Sequence, residues 1–283
     1  MAPTPPRCAV VGDPVDHSLS PVLHGAAYAA LGLEGTYGVQ RVAAGGLAAF
    51  VDTLAAPWRG LSVTMPLKRE AHALADDLDE AAARAGGVNT LVLERTATGV
   101  VRHGHNTDVP GAAAALAEQA VRPRVVTVLG GGATAASVAL AVGDLGAERV
   151  RLLVRDPARA GAAVAALARH PDRPAVEVAG LEPSSVVGDL VVSTVPAEAQ
   201  HPALVAACLA SVGAGGAVFD VVYDPWPTPL AAAAVSGGVT LVGGLDLLVH
   251  QAALQLLLLR GRHGPVEVMR SAGLAELARR SAG

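Results

Sequence analysis

The sequence predicts an α/β protein of two domains, built mainly on parallel strands, from three observations. Short Val-rich runs alternate with Ala-rich runs of helical length, as parallel strands joined by crossover helices require. That alternation stops and restarts once, around residues 104–108, and 283 residues suffice for two ordinary domains. A glycine turn, Gly130-Gly131-Gly132-Ala133, then joins a strand directly to a helix.

The elements follow in order. Residues 8–11 form a first strand, stopped by Gly12-Asp13-Pro14, and 21–33 a helix with Ser20 as N-cap and Pro21 at its first position. Next come a strand at 37–42, a helix at 47–54 and a strand at 60–64 that ends at Met65-Pro66. Helical pieces at 68–74 and 80–85 precede a hairpin of 89–94 and 99–103 around Thr96-Ala97-Thr98-Gly99. The second alternation runs from a helix at 109–120 to a strand at 124–129, the glycine turn and a helix at 134–145. A strand at 149–154 and a helix at 158–169 follow, then strands at 176–179, 189–194, 217–222 and 239–242. Two apolar helices, 245–259 and 266–278, close the chain; periodicity leaves open whether they return to the first domain.

Composition excludes several function classes. Hydrophobic residues reach 52% at a mean hydropathy of +0.43, but Ala, Val and Leu carry this and only 2% of residues are aromatic. The most apolar stretch, 245–259, is broken by Asp246, His250, Gln251 and Gln255, so it reads as a buried helix and not as the roughly 20-residue span a bilayer needs. The start, Met1 to Arg7, lacks a secretory profile, and Cys8 and Cys208 form no disulfide framework. A net charge of −4 without a basic tract argues against nucleic acid as the main partner. The expectation is a cytoplasmic protein, monomer or homodimer, with a small-molecule partner and no membrane. His103 and His105 share a strand face near Asp108, but no third ligand cluster follows, so no metal is expected. Trp58 and Trp226 read as packing residues, and 267–280 as a solvated helix face.

Lys68 is the only lysine in the chain, although lysine and arginine together number 21. Arginine stays charged, whereas lysine releases and recovers a proton in a tuned site, which makes Lys68 a candidate for proton transfer. At the glycine turn, the backbone of Gly130, Gly131 and Gly132 and the helix start at Ala133 and Thr134 suit a pyrophosphate. Ala135 stands where a third glycine is usual. At the end of the next strand Arg155 and Arg159 suit the 2′-phosphate of NADP, while Asp156 is able either to neutralise Arg155 or to contact a ribose hydroxyl.

Four polar clusters sit at strand ends in the first domain: His17-Ser18-Leu19-Ser20-Pro21, Ser62 to Lys68, Gly87-Val88-Asn89-Thr90 and Gly104 to Asp108. They hold both asparagines of the chain, Asn89 and Asn106, and such groups suit a small polyhydroxylated acid. With Val222-Tyr223, Thr228-Pro229-Leu230 and Gly244-Leu245 through Gln251, in this order, the chain resembles the shikimate dehydrogenase family nearly end to end.

The resemblance implies reduction of 3-dehydroshikimate to shikimate with NADPH, in aromatic amino-acid biosynthesis. It implies Lys68 and Asp108 as the catalytic pair, with Ser18, Ser20, Thr64, Asn89, Tyr223 and Gln251 around substrate. To the cofactor residues it adds Thr194, Val221 and Gly244. It also implies a substrate domain of residues 1–105 plus 246–283, a Rossmann-like NADP-binding domain of residues 106–245, and a cleft between them. Departures are Ser62 and Gly25 where asparagine is common, and Val154-Arg155-Asp156 after the second dinucleotide strand. A rival is a quinate or dual quinate/shikimate dehydrogenase using NAD. Such enzymes often carry Thr at the place of Ser20 and an acid at that of Val154. A silent NADP-binding regulator is a third reading, opposed by retention of Lys68, Asp108 and Gln251.

Overall fold

A computed structural model describes residues 4–281; Met1 to Pro3 of the start segment lie outside the described residues. The chain divides into two compact units: one runs up to Thr107 and resumes at Val249, the other is Asp108–Leu248.

In the first unit, β1 (Arg7–Gly12) pairs in parallel with β2 (Thr36–Arg41) on one side and β3 (Trp58–Val63) on the other. Next to β3 runs β5 (Thr90–Thr96), antiparallel, and it turns into β6 (Gly99–His105). A two-residue β4 (Asp77–Leu78) closes the sheet in parallel with β6, giving the order β2-β1-β3-β5-β6-β4. The helices are α1 (Ser20–Leu31), α2 (Leu47–Asp52), α3 (Lys68–Leu74) and α4 (Glu80–Ala85). From Val249 on, α10 (Gly244–Arg260) belongs to this unit, as does α11 (Val266–Ser281), which packs on α1. The core joins Ala9 and Val11 of β1, Leu61 and Val63 of β3 and Leu91 and Leu93 of β5 to Leu47 and Ala71 of the helices and to Leu67, the N-cap of α3. These apolar residues fall at every second strand position, one face of the sheet.

The second unit starts with α5 (Asp108–Glu118). Its six strands are β7 (Val125–Leu129), β8 (Arg149–Val154), β9 (Ala175–Gly180), β10 (Leu190–Ser193), β11 (Ala217–Asp220) and β12 (Thr240–Gly243). All pair in parallel, in the order β12-β11-β10-β7-β8-β9. This is the Rossmann-like, doubly wound arrangement, whose strand order reverses between β7 and β10; ligands bind at such a point, beyond the strand ends. From Ala135 to Gly143 every residue of α6 (Ala133–Asp144) is buried. A helix enclosed on all sides is the reason its sequence is small and apolar throughout. The unit is completed by α7 (Gly161–Ala168), α8 (Pro202–Val212) and α9 (Pro229–Ser236).

Three differences from expectation have local causes. The N-cap position of α1 is Leu19, and Ser20 is already helical; the capping acceptor is Ser18, whose Oγ takes the Ser20 N–H at 3.2 Å. The helices α8 and α9 were not expected. Each begins with proline after a capping side chain, His201 accepting from Leu204 and Thr228 from Ala231. The third is β4, too short to carry a periodic pattern. Among the described residues no helix is long and apolar enough to cross a membrane.

Candidate functional site

In the first unit the sheet gathers the predicted substrate residues at one end. Because β5 runs against β3, with Thr90 opposite Ser62, its start lies at the end of β3; the end of β6 joins it, with His105 opposite Thr90. At that end Thr64 follows β3, Lys68 opens α3, Asn89 precedes β5, Ser18 lies between β1 and α1, and Ser20 opens α1. The 87–89 segment runs beside Lys68: the Val88 N–H donates to the Lys68 carbonyl at 2.9 Å, and a Cβ on Gly87 would lie 3.7 Å from that of Lys68.

Asn89 is the centre of this end. Its Oδ1 accepts from the Thr107 N–H at 2.8 Å and from Thr90 Oγ1 at 3.0 Å, while its Nδ2 donates to Thr107 Oγ1 at 2.9 Å and to Gln251 Oε1 at 3.3 Å. A backbone N–H at Oδ1 fixes which way the amide faces. One helical turn beyond Gln251, Gln255 donates from Nε2 to the Asn89 carbonyl at 3.1 Å. Its Oε1 accepts from Ser62 Oγ at 2.7 Å, and Ser62 Oγ accepts from the Tyr37 hydroxyl at 2.5 Å. Thus α10 holds Asn89 by side chain and by backbone from two positions on one face. Tyr37 stacks on His24 with ring centroids 3.9 Å apart. Burial lowers the His24 pKa to about 4 and raises that of the Tyr37 phenol, so both are neutral near pH 7. Tyr37 and Gln255 were absent from the expected site, and Ser62 entered it only as the first residue of the Ser62 to Lys68 cluster. The available signal was Gln255 itself, a second amide four residues after Gln251 in an apolar helix.

His103 and His105 are committed to carboxylates. His103 lies 2.9 Å from Asp77 and 2.8 Å from Glu94 through its two ring nitrogens, and His105 lies 3.1 Å from Asp79. Trp58 packs under Arg7 and against Phe50.

In the second unit the glycine turn leaves the end of β7. Gly130 has φ +111, where only glycine is unstrained, and a Cβ there would strike the Thr194 hydroxyl. A Cβ on Gly131 would strike the Arg159 carbonyl, whereas Gly132, the N-cap of α6, faces open space. Ala133 and Thr134 follow as the first residues of α6, where N–H groups lack helical partners and the dipole is positive. A close-packed turn with one open glycine at a helix start fits a pyrophosphate. Asp156 caps the turn that follows β8, its Oδ1 accepting from Ala158 N at 3.0 Å. Arg155 and Arg159 are exposed and form no ion pair among the described residues, so both guanidinium groups suit a phosphate.

Other expected cofactor residues have a different geometry. Thr194 does not turn its hydroxyl outward; it donates to the Leu129 carbonyl at 2.8 Å and so ties β10 to β7. The Val221 N–H donates to the Ser193 carbonyl at 3.0 Å. Gly244 lies so close to the Val221 carbonyl that a Cβ would collide with it. Tyr223 is half-buried two residues beyond, and Asp108 is buried at the first position of α5.

Two family models match: the shikimate dehydrogenase substrate binding domain over residues 10–91, and the shikimate 5'-dehydrogenase C-terminal domain over residues 244–272. The shikimate dehydrogenase (NADP(+)) of Symbiobacterium thermophilum is 38% identical over 279 residues, 95% of this chain and 93% of that protein. The crystal structure of a shikimate 5-dehydrogenase from Mycobacterium fortuitum is 37% identical, with a TM-score of 0.81 over 96% of this chain and 99% of that one. A quinate dehydrogenase from Corynebacterium glutamicum, in complex with NAD, is 28% identical at a TM-score of 0.84, covering 96% and 99%.

Proposed function

This chain belongs to the shikimate dehydrogenase family, and we infer from that premise what each group in the two units does. The enzyme is an NADP-dependent oxidoreductase that reversibly reduces 3-dehydroshikimate to shikimate, in aromatic amino-acid biosynthesis. The first unit acts as the substrate domain and the second as the NADP-binding domain.

The observation that carries this reading is the buried amide and hydroxyl network around Asn89, beside the only lysine in the sequence. A ring bearing several hydroxyls needs donors and acceptors in fixed positions, because mispairing a buried polar group costs about 1–3 kcal/mol. Asn89 and Gln251, each locked by the other and by Thr107, supply that fixity. Ser18, Ser20 and Thr64 offer hydroxyls at the same end of the sheet and Tyr223 a phenol, to bind the carboxylate and the ring. NADP(H) when bound would supply or accept the hydride; the 130–134 turn would hold its pyrophosphate, and Arg155 and Arg159 would neutralise its 2′-phosphate. In the reducing direction the ketone oxygen becomes an alkoxide and must gain a proton, which Lys68 provides. In reverse Lys68 takes it back. Asp108 accepts a hydrogen bond from a ring hydroxyl and orients the lysine ammonium.

The test is shikimate oxidation by Lys68 variants. Lys68→Ala and Lys68→Arg each lower kcat by about 10²- to 10⁴-fold, the usual worth of general acid–base catalysis, with NADP affinity unchanged. Lys68→Arg keeps the charge and loses only ready proton release, so near-normal turnover in that variant removes Lys68 from the proton-transfer role.

A further inference from the structure

Asp220 takes no part in the reaction derived above, yet its carboxylate is fully enclosed at the end of β11. Three donors converge on it. Oδ1 accepts from the Val222 N–H at 3.1 Å; Oδ2 accepts from Thr228 Oγ1 at 2.7 Å and from Gln200 Nε2 at 2.8 Å. Val222 and Thr228 bracket a single loop, residues 221–228, which carries Tyr223. Thr228 ends it as the N-cap of α9, its hydroxyl accepting from Ala231 N at 3.1 Å. Gln200 is itself held: its Nε2 also reaches Ser193 Oγ at 3.1 Å, and its Oε1 accepts from the Leu230 N–H at 3.0 Å.

Only an acceptor-only group satisfies three donors at one point. An asparagine would present one acceptor oxygen and turn its NH2 toward another donor. Burial raises the Asp220 pKa, against the hydrogen bonds from Thr228, Gln200 and Val222. An acid whose pKa is raised by folding costs stability when ionised, so stability alone does not account for a carboxylate here.

We propose that Asp220 is the positioning residue for Tyr223, tying both ends of the 221–228 loop to one buried point and so fixing where the phenol meets substrate. The proposal rests on the reading that Tyr223 contacts shikimate. It assigns the Tyr223 loop a fixed geometry, set by a residue that touches neither substrate nor cofactor.

The experiment uses Asp220→Asn, Thr228→Val and Thr228→Ser in a Trp58→Phe background, which leaves Trp226 of the same loop as the sole tryptophan. Trp226 lies against Gly243, where a Cβ would sit 3.4 Å from its ring, so its quenching by acrylamide reports the loop. Asp220→Asn and Thr228→Val raise the KM for shikimate by about tenfold or more, the loss of one charge-assisted hydrogen bond. They raise Trp226 quenching and leave the KM for NADP unchanged. Thr228→Ser, which keeps the hydroxyl, restores both. Unchanged quenching and an unchanged shikimate KM in Thr228→Val overturn the proposal, even if Asp220→Asn fails to fold. A parent enzyme inactive on shikimate overturns the functional reading instead, and the quenching still decides whether Asp220 holds the loop.

Discussion

The two units prepare their ligand sites by opposite means. In the first, side chains are locked by other side chains: Asn89 by Thr107, Thr90 and Gln251, and Ser62 by Tyr37 and Gln255. In the second, the turn after β7 offers backbone, brought close by glycines that touch Thr194 and Arg159. A polyhydroxylated ring demands several groups of defined direction. A pyrophosphate needs only N–H groups and a positive helix end. The charge differs as well. The partners that lock Asn89 and Ser62 include amides and hydroxyls, whereas the Tyr223 loop is tied to the buried carboxylate of Asp220. Substrate and cofactor recognition should therefore fail separately.

Arg155→Gln gives the largest expected separation. Loss of a charge-assisted contact to the 2′-phosphate costs about 1.5–3 kcal/mol, so the KM for NADP rises about tenfold to a hundredfold. The shikimate KM and the NAD rate should stay as they were. A matching fall in the NAD rate would show that Arg155 grips something other than that phosphate.

Gln255→Met acts on the other side of the comparison. It strands the Ser62 hydroxyl and frees the Asn89 backbone, lowering unfolding stability by about 1–3 kcal/mol in denaturant titrations. The shikimate KM rises and the NADP KM does not. If both constants move together, the two sites are not independent and the comparison breaks.

The smallest effect belongs to His103, outside both sites. Burial lowers its pKa, but the carboxylates of Glu94 and Asp77 outweigh that and leave it raised. A histidine raised by folding stabilises fully below its unfolded pKa, near 6.5, and loses that contribution as pH rises through the folded value. The partners are largely exposed, so His103→Gln should cost about 0.5–1 kcal/mol at pH 6 and less at pH 8, with kinetics untouched. An equal loss at both pH values would assign the effect to packing.

How much of this was legible in the sequence follows the same division. The strand–turn–helix at Gly130 and the polar clusters around Lys68 and Asn89 are local and could be read directly. The Tyr37–Ser62–Gln255 relay could not, because Ser62 and Gln255 are 193 residues apart and meet only when α10 returns to the first sheet. Periodicity left that return open; the resemblance supplied it. The bond from the Thr194 hydroxyl to the Leu129 carbonyl was not legible either, because its partner is 65 residues away and is brought close only by the pairing of β10 with β7. Ser20 was read as a cap because Ser18, two residues earlier, is the same residue type, and a one-residue difference in where α1 starts decides between them. Asp220 carried no signal, since its three donors come from Val222, Thr228 and Gln200, up to 20 residues away.

The measurement closest to the central claim is the initial rate of reduced-nicotinamide formation by the purified protein, with shikimate and quinate each crossed against NADP and NAD. Dominant turnover of shikimate with NADP is the predicted result. Dominant turnover of quinate with NAD would contradict it.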